Sequence, residues 1–339
     1  INTNTGKGDE TNITVGGSVT AEGTSVTGIN IRSNKSETEI EVEGNVTAEG
    51  TLTDIVTGIR IDSLDSENEV EVGGNVISDG NGITIDQNGN YDEAEIEIDG
   101  NVEAEGEAGI FVNQHAKDGE LEITVGGDVK GGDVGLYVRV PGDNADTKIV
   151  NDILVNGAIE GGKAGVEINQ AVTTDNFKLT VYEIKLNENG DALVGRGDAP
   201  DSEYTDYNTR AIEASIMYII KIEQPSEGAT LTAVKEDGSP LDQSHGLDVA
   251  REGDVVLMRV DVAPGYHVTG AYSVDGHELD IYEKDGQYYV EVPKGGGVYI
   301  SPRVEKDEKR NFSLTDYVPA SESSSAAVTG TGDVQYVDD

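Results

Sequence analysis

The chain has 339 residues, with 66 Asp and Glu against 23 Lys and Arg, a formal net charge of −43, no Cys, no Trp and only three Phe. So acidic a surface repels phosphate backbones, and no window approaches the ~20 consecutive apolar residues of a membrane helix, which argues against nucleic-acid binding and direct membrane insertion. The absence of Cys removes disulfides, thiolate metal sites and a cysteine nucleophile.

At roughly 150 residues per domain the length fits two domains, and ordered runs of Val and Ile argue against global disorder. The chain opens on Ile1, inside a repeat-like stretch and without a leader pattern, so a signal peptide or wall anchor is expected to lie outside it.

The first half repeats itself. The segments ITVGGSV, IEVEGNV, VEVGGNV, IEIDGNV, ITVGGDV and ILVNGAI begin at Ile13, Ile40, Val70, Ile96, Ile123 and Ile153. A second motif, glycine, apolar, any residue, apolar, follows in each copy from Gly28, Gly58, Gly82, Gly109, Gly135 and Gly165. Between the two lies a short apolar stretch centred on Val19, Val46, Val76, Val102, Val129 and Ile159. The pieces alternate apolar and polar, are β-branched, and are too short and glycine-punctuated for helices.

One such repeat cannot bury its own apolar face, whereas stacked repeats bury a continuous column. The expected fold is all-β: a right-handed parallel β-helix of three strands per turn over residues 1–195, followed by a small all-β module. Six rungs recur clearly, and residues 171–195, with Phe177, Leu179, Val181, Ile184 and Leu186, read as a degraded seventh that caps the stack.

Three outward rows carry the candidate chemistry of this region. After the shared glycine stand Ser18, Asn45, Asn75, Asn101, Asp128 and Ala158, expected to form a structural ladder that hydrogen-bonds from rung to rung. The first strand presents Glu39, Glu41, Glu69, Glu71, Glu95, Glu97 and Glu122. Carboxylates stacked ~4.8 Å apart repel by about 0.9 kcal/mol per pair at the dielectric of water. That row is a solvated acidic face or, in the sharper alternative, a place where calcium bridges rungs through Glu41, Glu71 and Glu97. The loop from Asp86 and Asn88 to Glu97 also partly fits a calcium-loop spacing, although Tyr91 stands where the sharp turn wants glycine.

The variable position of the second motif reads Asn30, Arg60, Thr84, Phe111, Tyr137 and Glu167. Phe111 and Tyr137 on adjacent rungs, with Arg60, are candidates for a glycan-binding face, the alternative being that a loop covers the rings. Catalysis has little to build on. His115 is the only His of the repeats, Arg32, Arg60 and Arg139 lie on different rungs, and no triad, HExxH, phosphate loop or dinucleotide fingerprint occurs. No catalytic residue and no cofactor other than calcium is expected.

Residues 196–216 form an acidic, turn-rich junction that includes Arg196-Gly197-Asp198, a tripeptide some integrins recognise and one that arises easily by chance here. Short strands are then expected around residues 229–234, 255–262, 266–273, 288–292 and 298–304, with turns at Asp237-Gly238, Asp275-Gly276 and Asp285-Gly286. His245, His267 and His277 fall on those turns or strand edges and read as ordinary surface histidines.

The runs Glu252-Gly253-Asp254-Val255-Val256-Leu257, Ala263-Pro264-Gly265-Tyr266-His267-Val268 and Tyr288-Tyr289-Val290-Glu291-Val292-Pro293 carry a resemblance. Residues 217–306, roughly a quarter of the chain, resemble the divergent internalin-type B repeat of bacterial surface proteins. That family commonly has a Trp shortly after the Gly-Tyr, where this chain has Ala271 or Tyr272, which thins the expected aromatic core. The upstream repeats resemble adhesin-like β-helical surface proteins of gut bacteria. The resemblance implies a secreted or wall-associated bacterial protein, a non-enzymatic adhesin or stalk. It would be a monomer within a larger surface protein, with glycans or host and environmental proteins as partners. A carbohydrate-active β-helical enzyme and a pure spacer are the alternatives. Residues 307–339 read as a flexible linker.

Overall fold

The computed structural model describes residues 1–52, 55–140, 150–169, 172–173, 175–196, 212–213 and 215–307. The tripeptide's Gly197 and Asp198, most of the junction and the tail from residue 308 lie outside the described residues.

The named elements are all strands, and the repeats stack as a β-solenoid of about seven turns. Its first face runs from Glu10–Val15 through Glu37–Val42, Glu67–Val72, Tyr91–Ile98, Asp118–Val125 and Val150–Gly161 to Phe177–Ile184, each strand parallel to the next. The second face is an 8-stranded parallel sheet that opens with Asn2–Thr5, continues through Thr27–Asn34, Thr57–Leu64, Asn81–Gln87, Ala108–Gln114, Val134–Arg139 and Ala164–Asn169, and ends with Leu193–Arg196. Short strands such as Val46–Gly50 and Val76–Ser78 make the third face.

Register is fixed by the interior. Ile40, Val70, Ile96, Ile123 and Ile153 pair in one column, and Ile29, Ile59, Ile83, Ile110 and Leu136 in another, all with no measurable exposure or at most 1%. A side chain of this size gains about 1.5–3 kcal/mol on full burial, and a one-residue slip would turn the column outward. The second-motif glycine has a steric cause. A Cβ on Gly58 would lie 2.6 Å from the Gly82 carbonyl oxygen and 2.6 Å from Val76 Cγ1. Backbone and third-face valine therefore claim the space that any side chain would need.

The row after the shared glycine forms a ladder of a particular kind. Each side-chain oxygen accepts from the backbone N–H of the equivalent residue one rung on: Asn45 from Asn75 at 2.8 Å, Asn75 from Asn101 at 2.7 Å, Asn101 from Asp128 at 2.8 Å and Asp128 from Ala158 at 2.7 Å. Ser18 does the same for Asn45 at 3.1 Å. The ladder ends at Ala158, which has no side-chain acceptor, and there the corner opens into the single strand Val150–Gly161 with a register break between Val155 and Ala158.

First-face strands start about three residues earlier than the apolar run suggests, because Thr38, Asn68 and Asn151 occupy buried interior positions in line with Ala94 and Leu121. The degraded seventh turn is present as Phe177–Ile184 and Leu193–Arg196.

Strand Ile216–Ile222 belongs to both halves of the molecule. Its start pairs with Phe177–Ile184, Leu179 opposite Ile216, as one more first-face strand. Its end pairs in parallel with Val298–Lys306, Ile220 opposite Val298. Around it the C-terminal strands form an antiparallel sheet in the order Ala229–Lys235, Val255–Val262, Gln287–Glu291, Ile281–Lys284, and Tyr266–Ser273 pairs with Val298–Lys306. Leu231, Val256, Met258, Val290 and Ile300 are buried there and pack in one continuous core with the solenoid interior. Ala271 packs against that core partly buried, while Tyr272 lies under Arg303, 5.4 Å from ring centroid to guanidinium carbon.

Candidate functional site

The second face places side chains from several rungs around one cleft of about 290 Å³. The variable column runs Asn30, Arg60, Thr84, Phe111, Tyr137 and Glu167 in strict register. Arg60, Thr84 and Phe111 line the cleft with Thr57, Asn81 and Asp86, while Ile55 and Glu107 form its rim. Thr84 lies between its larger neighbours and is almost fully buried.

Two of the three expected ligand residues, Arg60 and Phe111, thus line one cleft, and the third, Tyr137, packs against Phe111 from the next rung. Tyr137 is only 8% exposed, so it offers no open ring face. It meets Phe111 edge to face with ring centroids 5.0 Å apart and an interplanar angle of 71°, which fixes the half-buried Phe111 ring at the cleft.

Arg60 is committed to carboxylates. Its Nε donates to Asp62 Oδ2 at 3.2 Å and its Nη2 to Asp86 Oδ2 at 3.1 Å, and Asp86 also accepts from Asn113 Nδ2 at 2.9 Å. The hydrogen bonds that Arg60 donates to Asp62, with the charges of Asp62 and Asp86, raise its pKa further against the opposing effect of burial, so the guanidinium stays charged. Such a cleft holds a half-exposed ring, hydroxyl and amide groups, and carboxylate acceptors fixed by arginine, a set suited to a polyhydroxylated ligand.

These facts redirect the calcium-loop expectation. Asp86 belongs to the second face and is engaged by Arg60 and Asn113, whereas Glu97 points outward on the first face. Asn88 is exposed and its side chain bonds back to the Asp86 carbonyl at 3.4 Å. The turn is organised instead by Asp92, which accepts from the Gly89 and Ser66 amides, and by Asp65, which accepts from the Asn90 amide. No group of three or more His, Asp or Glu among the described residues converges as metal ligands do.

The first face carries the acidic columns. Glu41, Glu71 and Glu97 pair in register, as do Glu39, Glu69, Glu95 and Glu122. A third column, Glu10, Glu37, Glu67, Glu93 and Glu120, stands beside them and borders a groove of about 710 Å³ with Tyr91, which is 70% exposed. Apolar patterning does not reveal that column, since it precedes the Ile and Val run, but aligning the repeats three residues upstream does. Desolvation and then the flanking glutamates push the Glu69 and Glu93 carboxyls above their ordinary range.

A different chemistry holds the end of the solenoid. The segment Pro293-Lys294-Gly295-Gly296-Gly297 seats on its last turn, with the Ile184 amide donating to the Gly295 carbonyl at 2.7 Å and the Gly297 amide to the Tyr182 carbonyl at 2.9 Å. Gly295, Gly296 and Gly297 all have positive φ, near 80°, and a Cβ on Gly296 would strike the Tyr218 ring. The Tyr182 hydroxyl donates to Asp275, and Lys221 stands 4.0 Å over the Tyr182 ring while donating to the Asn156 carbonyl at 2.8 Å.

His277 is no ordinary surface histidine, because its ring nitrogens lie 3.1 Å from Glu183 and 2.8 Å from Asp275. His245 lies 3.5 Å from Asp152, and only His267, beside Asp307, stands apart from the seat. Burial alone would raise the Asp275 carboxyl, but hydrogen bonds from Tyr182, Ser273 and His277 outweigh it and hold the pKa at about 2.

Fold and surface together define a β-solenoid repeat protein whose last turn is covered by an antiparallel β module sharing a strand with it. No family model matches the chain, and no curated protein or solved structure matches it.

Proposed function

We propose that the chain is a non-enzymatic extracellular bacterial surface protein, an adhesin-like stalk whose second face binds glycans. One observation carries the reading: Phe111 and Arg60, two strands apart, line a single cleft with Thr57, Asn81, Thr84 and Asp86. A rigid, repetitive backbone holds those groups without needing a partner to order them. The acidic exterior keeps such a stalk soluble and extended, and the internalin-type likeness of residues 217–306 fits a wall-associated setting.

The test is retention of the intact protein on insoluble polysaccharides, with released sugar assayed in the same tubes. Retention that Phe111→Ala abolishes without lowering the melting temperature is the expected result. Sugar release would replace the adhesin with a carbohydrate-active enzyme, and a Phe111→Ala protein that still binds fully would move the site elsewhere.

A further inference from the structure

The same cleft restricts the kind of glycan it can take, an argument that rests on the glycan-binding proposal. Among the described residues, Arg60 is the only cationic side chain that lines it. A lone arginine facing a cleft would ordinarily read a carboxylate on the ligand, by a bidentate pair. Here its Nε and Nη2 donors already meet Asp62 at 3.2 and 3.3 Å and Asp86 at 3.1 Å. Arg32 also stands 3.9 Å from Asp62, so with Glu107 at the cleft two cations, Arg32 and Arg60, face three carboxylates, and 2 − 3 gives a local charge of −1. The protein's net charge of −43 reinforces that sign at long range.

A carboxylated sugar therefore meets a net negative cleft whose arginine has already turned its Nε and Nη2 donors to protein carboxylates. An uncharged sugar meets what it needs: carboxylate oxygens oriented by Arg60 and Asn113 to accept from hydroxyls, and the apolar faces of Phe111 and Ile55 for its C–H surface.

Lining residues come from four successive second-face strands, from Thr27 through Thr57 and Asn81 to Phe111. At ~4.8 Å between strands that is about 14 Å, longer than one pyranose ring and directed along the solenoid axis. We infer that the cleft binds a short, uncharged oligosaccharide lying across the rungs and discriminates against uronic and other acidic sugars.

Calorimetry on the full chain with neutral trisaccharides of glucose, galactose and mannose, set against galacturonate and glucuronate trimers, tests this at ~0.1 M salt, where exposed charges are screened beyond about 10 Å. At least one neutral trimer should bind, with the uronates roughly tenfold weaker or worse, a gap of about 1.4 kcal/mol. Asp62→Asn and Glu107→Gln should each narrow that gap, and Phe111→Ala should abolish neutral binding. Uronate binding equal to or tighter than neutral binding, itself lost in Phe111→Ala, would overturn the class assignment while leaving the glycan site in place. Binding of no trimer of either class would overturn both.

Discussion

The outer surface of the first face and the seat of the C-terminal module use the same side chains to opposite effect. On the first face, glutamates stand opposite glutamates, as in Glu39, Glu69 and Glu95, and desolvation and then those flanking charges raise the Glu69 pKa. At the seat, Asp275 and Glu183 meet Tyr182, His277 and Lys185, and the Asp275 carboxyl is held at about 2. Repetition explains the contrast. A rung copied along the axis stacks every outward charge on its own copy, and the interior columns must carry the cost. A contact made once, between segments more than ninety residues apart, can pair opposites. The second face lies between these cases, since substitutions along one repeated column set Arg60, Thr84 and Phe111 side by side.

The largest expected effect comes from the column that supports all three surfaces. Ile96→Ala, at a site 1% exposed, should cost about 2–5 kcal/mol in urea unfolding. A loss under 1 kcal/mol would mean that the core relaxes around the cavity. Breaking the seat should be smaller and local: Tyr182→Phe leaves Asp275 short of a donor and should weaken docking by about 1–3 kcal/mol. Hydrogen exchange should then quicken in Val298–Lys306 and leave Tyr91–Ile98 unchanged, and uniform quickening would deny the seat an identity of its own. Asn75→Ala removes one ladder acceptor, and about 1 kcal/mol is expected from thermal melts.

Acid should sharpen the contrast, because the two regions respond with opposite sign. Glu69 and Glu93 have folded pKa values above their unfolded ones, so their contribution is fully present below the ordinary glutamate pKa, ~4.3, and is lost as pH rises through the folded values. The solenoid should gain stability between pH 7 and about pH 4. Asp275 is depressed to about 2, so its contribution is present above the ordinary aspartate pKa, ~3.9, and fades as pH falls toward 2. Exchange at pH 4.5 should therefore be slower in Glu67–Val72 than at pH 7 once corrected for intrinsic rates, whereas protection in Val298–Lys306 should fall near pH 3. Parallel changes in both segments would contradict the charge account.

How much of this can be read from residues alone follows the same division. The period fixes what each rung repeats: the Ile and Val columns, the glycine row, the asparagine ladder and even the degraded seventh turn around Phe177. It misses polar residues that point inward. Thr38 and Asn68 break the apolar alternation, and with it hide both the true strand starts and the Glu10 to Glu120 column. Nor does an outward position in a repeat reveal what covers it, so Tyr137 reads as an exposed platform and proves to be a buried support for Phe111. Contacts made only once leave no periodic trace. The dual pairing of Ile216–Ile222 and the placing of His277 between Glu183 and Asp275 depend on how distant segments meet.

The most direct measurement is hydrogen exchange by mass spectrometry on the intact chain, with and without a retained soluble polysaccharide. Added protection should concentrate in Thr57–Leu64, Asn81–Gln87 and Ala108–Gln114, the strands that bring Arg60, Asp86 and Phe111 together. Protection confined to the glutamate columns of the first face, or to the C-terminal module, would contradict the account.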